Sequence, residues 1–262
     1  MFSVDNLSVS YLDQAVLKNF TLKMNQGEIV ALVGESGSGK STAIRAMFSL
    51  LSHEGRIDSG SVCLDGESLL DKTAEQWRDI RGKKIAMIFQ DSGAMLNPIA
   101  KIKGQFVEYI RIHSSMTKAE AVAKAKEMLL STNLQDPDRV MDSFPFQLSG
   151  GMRQRVGVAM AMTFNPKVLL ADEPTSALDA TTQKLIVDEM MELRDKHQMS
   201  IVIVTHNLGV AVHMADRIFV MQNGEVVEQG TSYDIVHNPQ HPYTKQLLDT
   251  VPELEATDRW HC

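Results

Sequence analysis

The sequence predicts an α/β fold with a mixed sheet core, an N-terminal antiparallel β part and an inserted helical subdomain. Three observations predict it. Four runs of strand length, residues 29–33, 85–89, 168–173 and 201–204, are apolar almost throughout, as strands covered on both faces are. The first of them leads through a glycine-rich turn into a segment where Ile44, Met47, Phe48 and Leu51 recur at helical spacing. From residue 91 to about 165, β-branched runs give way to helical periodicity.

The chain of 262 residues is 44% apolar, enough for a sizeable core. It reads as a single domain over 1–262, with 1–90 and 165–236 forming the β-containing core, 91–164 the helical subdomain and 237–262 a tail. A formal net charge of -7 without a dominant basic stripe argues against a nucleic-acid partner. Two cysteines, Cys63 and Cys262, supply neither a disulfide framework nor metal-ligand spacing. The start at Met1-Phe2-Ser3-Val4-Asp5 has no basic or apolar stretch, so no signal peptide is expected. No apolar run approaches the ~20 residues that span a bilayer. A soluble protein of a reducing compartment is the expectation, and any membrane role must come through a partner.

Taken in order, Phe2, Val4, Leu7 and Val9 alternate roughly and Phe20, Leu22 and Met24 cleanly, giving short strands joined to the next by Gln26-Gly27. Tyr11 ends the first strand, either as edge packing or as an aromatic able to stack on a base. Residues 52 to 90 continue with β signals, including Ser61-Val62-Cys63-Leu64 before an Asp65-Gly66 turn. Gln90 leaves the second apolar strand, either as solvated loop or within reach of a metal ion or water. Thr117 and Glu120 form a capping box, with Ala121, Ala125, Met128 and Leu129 on one helical face. Ser149 is a good N-cap for a helix to about Phe164, and the glycines after it leave the helix start bare. That is either an ordinary capped helix or a second anion-binding end. A further helix runs from Asp179 to about Lys196, and Asn223-Gly224 marks a type I′ hairpin turn within residues 216–230.

Chemistry concentrates in Gly34-Glu35-Ser36-Gly37-Ser38-Gly39-Lys40-Ser41, a G-x-x-x-x-G-K-[ST] phosphate-binding loop in its required place between strand and helix. Glycines let backbone N–H groups curl around phosphate oxygens, and the helix start adds donors and the positive end of its dipole. Lys40 supplies a point charge for the β- and γ-phosphates, and the Ser41 hydroxyl is a magnesium ligand. The third apolar strand ends in Asp172-Glu173. Alternate residues of a strand point to opposite sides, so one acid can hold the magnesium shell while the other faces an attacking water. His206 ends the fourth strand. Ligands of open parallel sheets bind at the carboxyl ends of strands, so these groups converge. Phosphoryl transfer to water is the chemistry they fit.

Along nearly its whole length the chain resembles the ATP-binding subunit of an ATP-binding cassette (ABC) transporter. The resemblance rests on six motifs in order: the phosphate loop, Gln90, the signature Leu148-Ser149-Gly150-Gly151-Met152, the acidic strand, the loop Ser176-Ala177-Leu178-Asp179, and His206. It implies a P-loop NTPase of the ABC ATPase type, with ATP and Mg2+ as ligands. Tyr11 would stack on adenine, and residues 34–41 with Thr42 would hold the phosphates. Ser41, Gln90 and Asp172 would surround magnesium, Glu173 would act on the attacking water, and His206 would hold the γ-phosphate. Two such subunits would sandwich two nucleotides, with Ser149, Gly150, Gly151 and Asp179 of one touching ATP held by the other.

Finer resemblances are to the branch that imports peptides and nickel: Gln90-Asp91 followed by Leu96-Asn97-Pro98, the methionine in the signature, and the tail Asn238-Pro239-Gln240-His241-Pro242-Tyr243-Thr244. They imply a second, non-identical ATP-binding subunit, two transmembrane permeases and an extracytoplasmic solute-binding protein. The place would be peripheral, on the cytoplasmic face of a bacterial inner membrane. Cys262 alone does not make a cysteine-rich extension, so no iron–sulfur cluster is expected. His237 and His241 are four apart, but Pro239 between them forbids a shared helical face. Peptides and nickel or metal chelates stay open as cargo. The competing reading is a soluble, non-transport ABC ATPase acting on ribosomes or DNA, which would carry two cassettes or a long coiled-coil insert.

Overall fold

The computed structural model describes residues 1–90, 92–176 and 178–249. Asp91 and Cys262, used above, lie outside them, as does Ala177 of the loop before Asp179. The described residues form two compact units, one of residues 1–71 and 200–249, the other of residues 72–199.

The first unit opens with β1 (Phe2–Tyr11), β2 (Gln14–Met24), β3 (Ile29–Val33), α1 (Lys40–Met47), β4 (Gly55–Leu64) and β5 (Glu67–Ser68). β1 pairs antiparallel with both β2 and β4. The alternation of β1 is rough because the strand is irregular. Its register shifts between Val4 and Leu7, where Asn6 takes a left-handed φ of 48°. One inserted residue returns Leu7 and Val9 to the buried face already occupied by Phe2 and Val4. Gly60 of β4 lies against this irregularity, and a Cβ there would stand 2.5 Å from the Asn6 carbonyl oxygen.

The second unit holds α2 (Ala74–Ile80), β6 (Ile85–Ile88), α3 (Ser92–Met95), α4 (Ile102–His113), α5 (Lys118–Ser131), α6 (Pro137–Asp142), α7 (Gly150–Met162), β7 (Val168–Asp172) and α8 (Ala180–His197). β6 and β7 pair in parallel, Ile85 opposite Val168 through Ile88 opposite Ala171. The capping box at Thr117 and Glu120 is present at the start of α5, whose buried residues are Ala121, Ala125, Met128 and Leu129. The first unit then resumes with β8 (Ser200–Val204), α9 (Leu208–Met214), β9 (Arg217–Gln222), β10 (Glu225–Thr231), α10 (Ser232–His237) and α11 (Pro242–Asp249). β3 pairs in parallel with β8 and with β9. Every residue of β3, β7 and β8 is buried, which is why these runs show no alternation. Each valine, leucine and isoleucine among them contributes about 1.5–3 kcal/mol of transfer free energy. Asn223 and Gly224 join β9 to β10 with φ of 51° and 83°, the two positive values a type I′ turn requires.

Two expectations are corrected. The helix after the phosphate loop stops at Met47 rather than reaching Leu51, because Ser49 turns left-handed at φ 52°. The β reading of residues 52 to 90 misses α2, which starts at a capping box of Thr73 and Gln76. Among the described residues no helix is long and apolar enough to cross a membrane.

Candidate functional site

In the first unit the loop of residues 34–41 joins buried β3 to α1. Gly34 has φ 146°, and a Cβ on it would lie 2.2 Å from the carbonyl oxygen of Met221 in β9. Only glycine fits there. Gly39 has φ 98° and sits at the N-cap of α1 without any side-chain cap. A Cβ on Gly39 would meet the Val16 carbonyl oxygen of β2 at 2.9 Å and Gly224 Cα at 3.4 Å. The Gly224 N–H donates to the Ser38 carbonyl oxygen at 3.2 Å. The hairpin turn and β2 therefore brace the back of the loop by backbone contact, while Glu35, Ser36 and Gly37 are exposed.

Lys40 is only 5% exposed. Its ammonium donates to Gly34 O at 2.8 Å, Glu35 O at 2.7 Å and Ser38 Oγ at 3.2 Å. A buried cation is tolerated because oxygens surround it. Ser41 and Thr42, in the first turn of α1, are half-buried. Tyr11, half-buried at the end of β1, packs on Gly55: a Cβ there would be 2.7 Å from the tyrosine ring. His206 is exposed just past β8, between buried Thr205 and Asn207, the N-cap of α9. Asn207 N donates to Thr205 Oγ1 at 3.0 Å, tightening the turn that carries the histidine.

In the second unit, β7 ends at Asp172, which is 2% exposed. Glu173 does not continue the strand. It takes a left-handed φ of 48°, a conformation that costs a non-glycine residue roughly 1–2 kcal/mol. The Ser176 N–H and hydroxyl both donate to the Glu173 carbonyl oxygen, holding the turn. Glu173 thus leaves the strand at this turn, and the alternation rule applied at Asp172-Glu173 stops at Asp172. Gln90 and Glu173 meet: Gln90 Nε2 donates to Glu173 Oε2 at 3.1 Å.

α7 begins at Gly150, with Ser149 as its N-cap accepting from Met152 N at 3.3 Å. Ser149 and Gly150 are exposed. α8 begins close by. A Cβ on Gly151 would lie 2.7 Å from Thr182 Cγ2, and Thr182 donates through its N–H and hydroxyl to the Asp179 cap at 3.0 and 2.7 Å. Those two bonds, the hydroxyl's first, hold the Asp179 carboxyl below its ordinary pKa. The fold thus joins the signature glycines to the Asp179 cap, as it joins Gln90 to Glu173.

One contact escaped the sequence reading. Tyr243 of α11, 5% exposed, accepts a hydrogen bond from Glu35 N at 2.9 Å. Tyr243 stood out only as part of a tail motif, and nothing in its spacing pointed to the phosphate loop.

Comparison with known proteins adds the family. A model of the ABC transporter family matches residues 17–176, and a model of the oligopeptide/dipeptide transporter C-terminal region matches residues 227–261. The glutathione import ATP-binding protein GsiA of Escherichia coli K12 is 41% identical over 266 residues, covering 98% of this chain. The chain spans 43% of the length of that relative. The dipeptide transport ATP-binding protein DppD of Lactococcus lactis subsp. cremoris MG1363 is 40% identical, with 98% of this chain and 75% of that one covered. Among solved structures, dimeric MJ0796, a bacterial ABC transporter cassette, superposes with a TM-score of 0.79 at 31% identity, over 88% of this chain and 99% of that one.

Proposed function

We propose that this chain, which belongs to the ABC transporter family, hydrolyses ATP to drive peptide import through partner permeases. The observation that carries the reading is the phosphate loop: a helix start without a side-chain cap, braced from behind by backbone, beside a buried lysine ringed by oxygens. Peptide cargo is favoured by the match to the oligopeptide/dipeptide C-terminal region and by the names of the relatives. Those names also favour import over a soluble role on ribosomes or DNA.

In this reading the backbone of residues 34–41 and Lys40 bind the phosphates, Thr42 supports them and Tyr11 stacks on adenine. Magnesium takes oxygen ligands, and Ser41, Asp172 and Gln90 offer them. With its amide nitrogen donating to Glu173, Gln90 keeps its carbonyl oxygen for a cation. Bound magnesium would neutralise charge on the phosphate oxygens. Glu173 polarises the attacking water and accepts its proton, with Gln90 fixing which way the carboxylate faces. His206 holds the γ-phosphate. Ser149, Gly150, Gly151 and Asp179 serve the nucleotide of a second ATP-binding subunit, non-identical in this branch. The assembly adds two permeases and an extracytoplasmic binding protein, with this chain peripheral on the cytoplasmic face of a bacterial inner membrane.

Glu173→Gln tests the chemistry. It should preserve ATP binding and lower turnover by about 10²- to 10⁴-fold, the usual loss when a general base is removed. Wild-type turnover in that variant would remove Glu173 from the reaction. Co-purification from mildly solubilised membranes tests the assembly: permeases and a second ATPase support import, and ribosomal or DNA-bound partners alone would overturn it.

A further inference from the structure

Helix α11 reaches back to the phosphate loop, and the contact falls on a mechanically telling bond. The Gly34–Glu35 peptide presents its oxygen to Lys40 Nζ at 2.8 Å and its N–H to Tyr243 Oη at 2.9 Å. A trans peptide is planar, with C=O and N–H pointing opposite ways. One rigid unit is therefore gripped on both sides, by the lysine meant for phosphate and by the tyrosine. If the tyrosine lets go, the peptide can rotate, and the seat of the Lys40 ammonium turns with it.

Tyr243 is itself held. Glu228 of β10 accepts from Gln240 N at 2.7 Å and from His241 N at 3.0 Å through its two carboxylate oxygens. Tyr243 N then donates to His241 Nδ1 at 3.2 Å. The turn at Asn238-Pro239-Gln240-His241-Pro242 is thus pinned to the sheet, and α11 starts with Tyr243 aimed at the loop. Pro239 and Pro242 stiffen the turn without needing donors of their own.

We propose that Tyr243 is a positioning residue for the phosphate loop, and that residues 238–243, anchored on Glu228, form a strap through which the C-terminal region sets nucleotide affinity. The inference rests on the ATP-binding reading above. It gives the segment a task apart from the chemistry, because the tyrosine touches the loop's backbone and no reacting atom. Whatever displaces the strap would weaken ATP binding without altering the hydrolytic groups.

The test is Tyr243→Phe in the full chain. The ring and its packing stay, and only the acceptor is lost. Losing this one partly buried hydrogen bond should raise the dissociation constant and the KM for Mg·ATP by about three- to tenfold. kcat at saturating ATP should be unchanged, and amide hydrogen exchange at Glu35 should be faster in the nucleotide-free chain. Glu228→Ala should weaken ATP binding in the same direction. It should have little further effect once Tyr243 is phenylalanine, because both act through one path. ATP affinity and KM unchanged in Tyr243→Phe would overturn the strap, as would independent, additive losses in the two variants. A wild-type chain that binds no ATP would overturn the nucleotide reading and the strap together, so the two failures are distinguishable.

Discussion

The helix starts of α1 and α7 look alike in the sequence, each a short run of glycine and serine before an apolar-periodic segment. Their structures differ. α1 begins at Gly39 without a side-chain cap, with Gly39 and Lys40 buried and the loop backed by β2, β9 and the hairpin turn. α7 begins at an exposed serine that caps it, followed by an exposed glycine. The first start leaves its end donors to something other than a local side chain and has a cation fixed beside it. The second is already complete as a helix. Glycine at α1 is required by φ and by close backbone neighbours, whereas Gly150 has no such need within its own chain.

The largest effect expected from this contrast is at Lys40. Lys40→Ala takes a buried ammonium away from Gly34 O, Glu35 O and Ser38 Oγ. Removing one charged partner of this kind costs about 2–5 kcal/mol, so ATP affinity of the isolated chain should fall by about thirtyfold to several thousandfold. Calorimetric titration measures it. A variant that keeps wild-type affinity would break the comparison at its root, since α1 would then be no more a nucleotide site than α7.

Smaller effects come from the α7 glycines, and they should have opposite signs. On Gly150 a methyl group would have Leu178 Cδ2 at 3.8 Å as its nearest neighbour, an ordinary contact. Gly150→Ala should therefore stabilise the chain by about 0.4–1 kcal/mol, through the unfolded state. On Gly151 the methyl group meets Thr182 Cγ2 at 2.7 Å, and Thr182 is tied to Asp179. Gly151→Ala should destabilise by about 1–3 kcal/mol. Denaturant unfolding gives both numbers. Gly150→Ala should also leave ATP affinity of the isolated chain intact and reduce ATPase activity in the assembled transporter. Weaker ATP binding in the isolated chain would mean that α7 serves its own nucleotide and does not face outward.

The sequence made the parallel strands and the phosphate loop legible because both are local signals: an apolar run, and a fixed glycine spacing between strand and helix. The I′ turn at Asn223-Gly224 and the cap at Ser149 were legible for the same reason. What escaped depends on partners distant in sequence or on backbone φ. The left-handed Glu173 interrupts the alternation that placed the two acids, and no residue type announces it. The insertion at Asn6 is visible only as blurred alternation. The grip of Tyr243 on Glu35 spans 208 residues, and no periodicity encodes such a contact. Helix α2 is a different case: the capping box of Thr73 and Gln76 is a local signal, but the helix is only seven residues long and lies between β-rich segments.

The smallest effect separates the cap of α7 from that of its neighbour α8, one a hydroxyl and the other a carboxylate. The Thr182 hydroxyl and N–H favour the ionised form of Asp179, so its folded pKa lies below its ordinary value, about 3.9 in unstructured chains. A depressed acid stabilises the fold fully above its unfolded pKa, and that contribution is lost as the pH falls through the folded value. The Thr182 amide resonance should therefore shift with a midpoint below about 3.9. The Met152 amide, capped by the Ser149 hydroxyl, should not follow that step. Asp179→Asn keeps a capping oxygen but cannot titrate, so it should abolish the Thr182 step and flatten the acid side of the stability profile slightly, the carboxylate being exposed. If Met152 followed the Asp179 titration, the close approach of Gly151 to Thr182 would couple the two caps into one titrating unit.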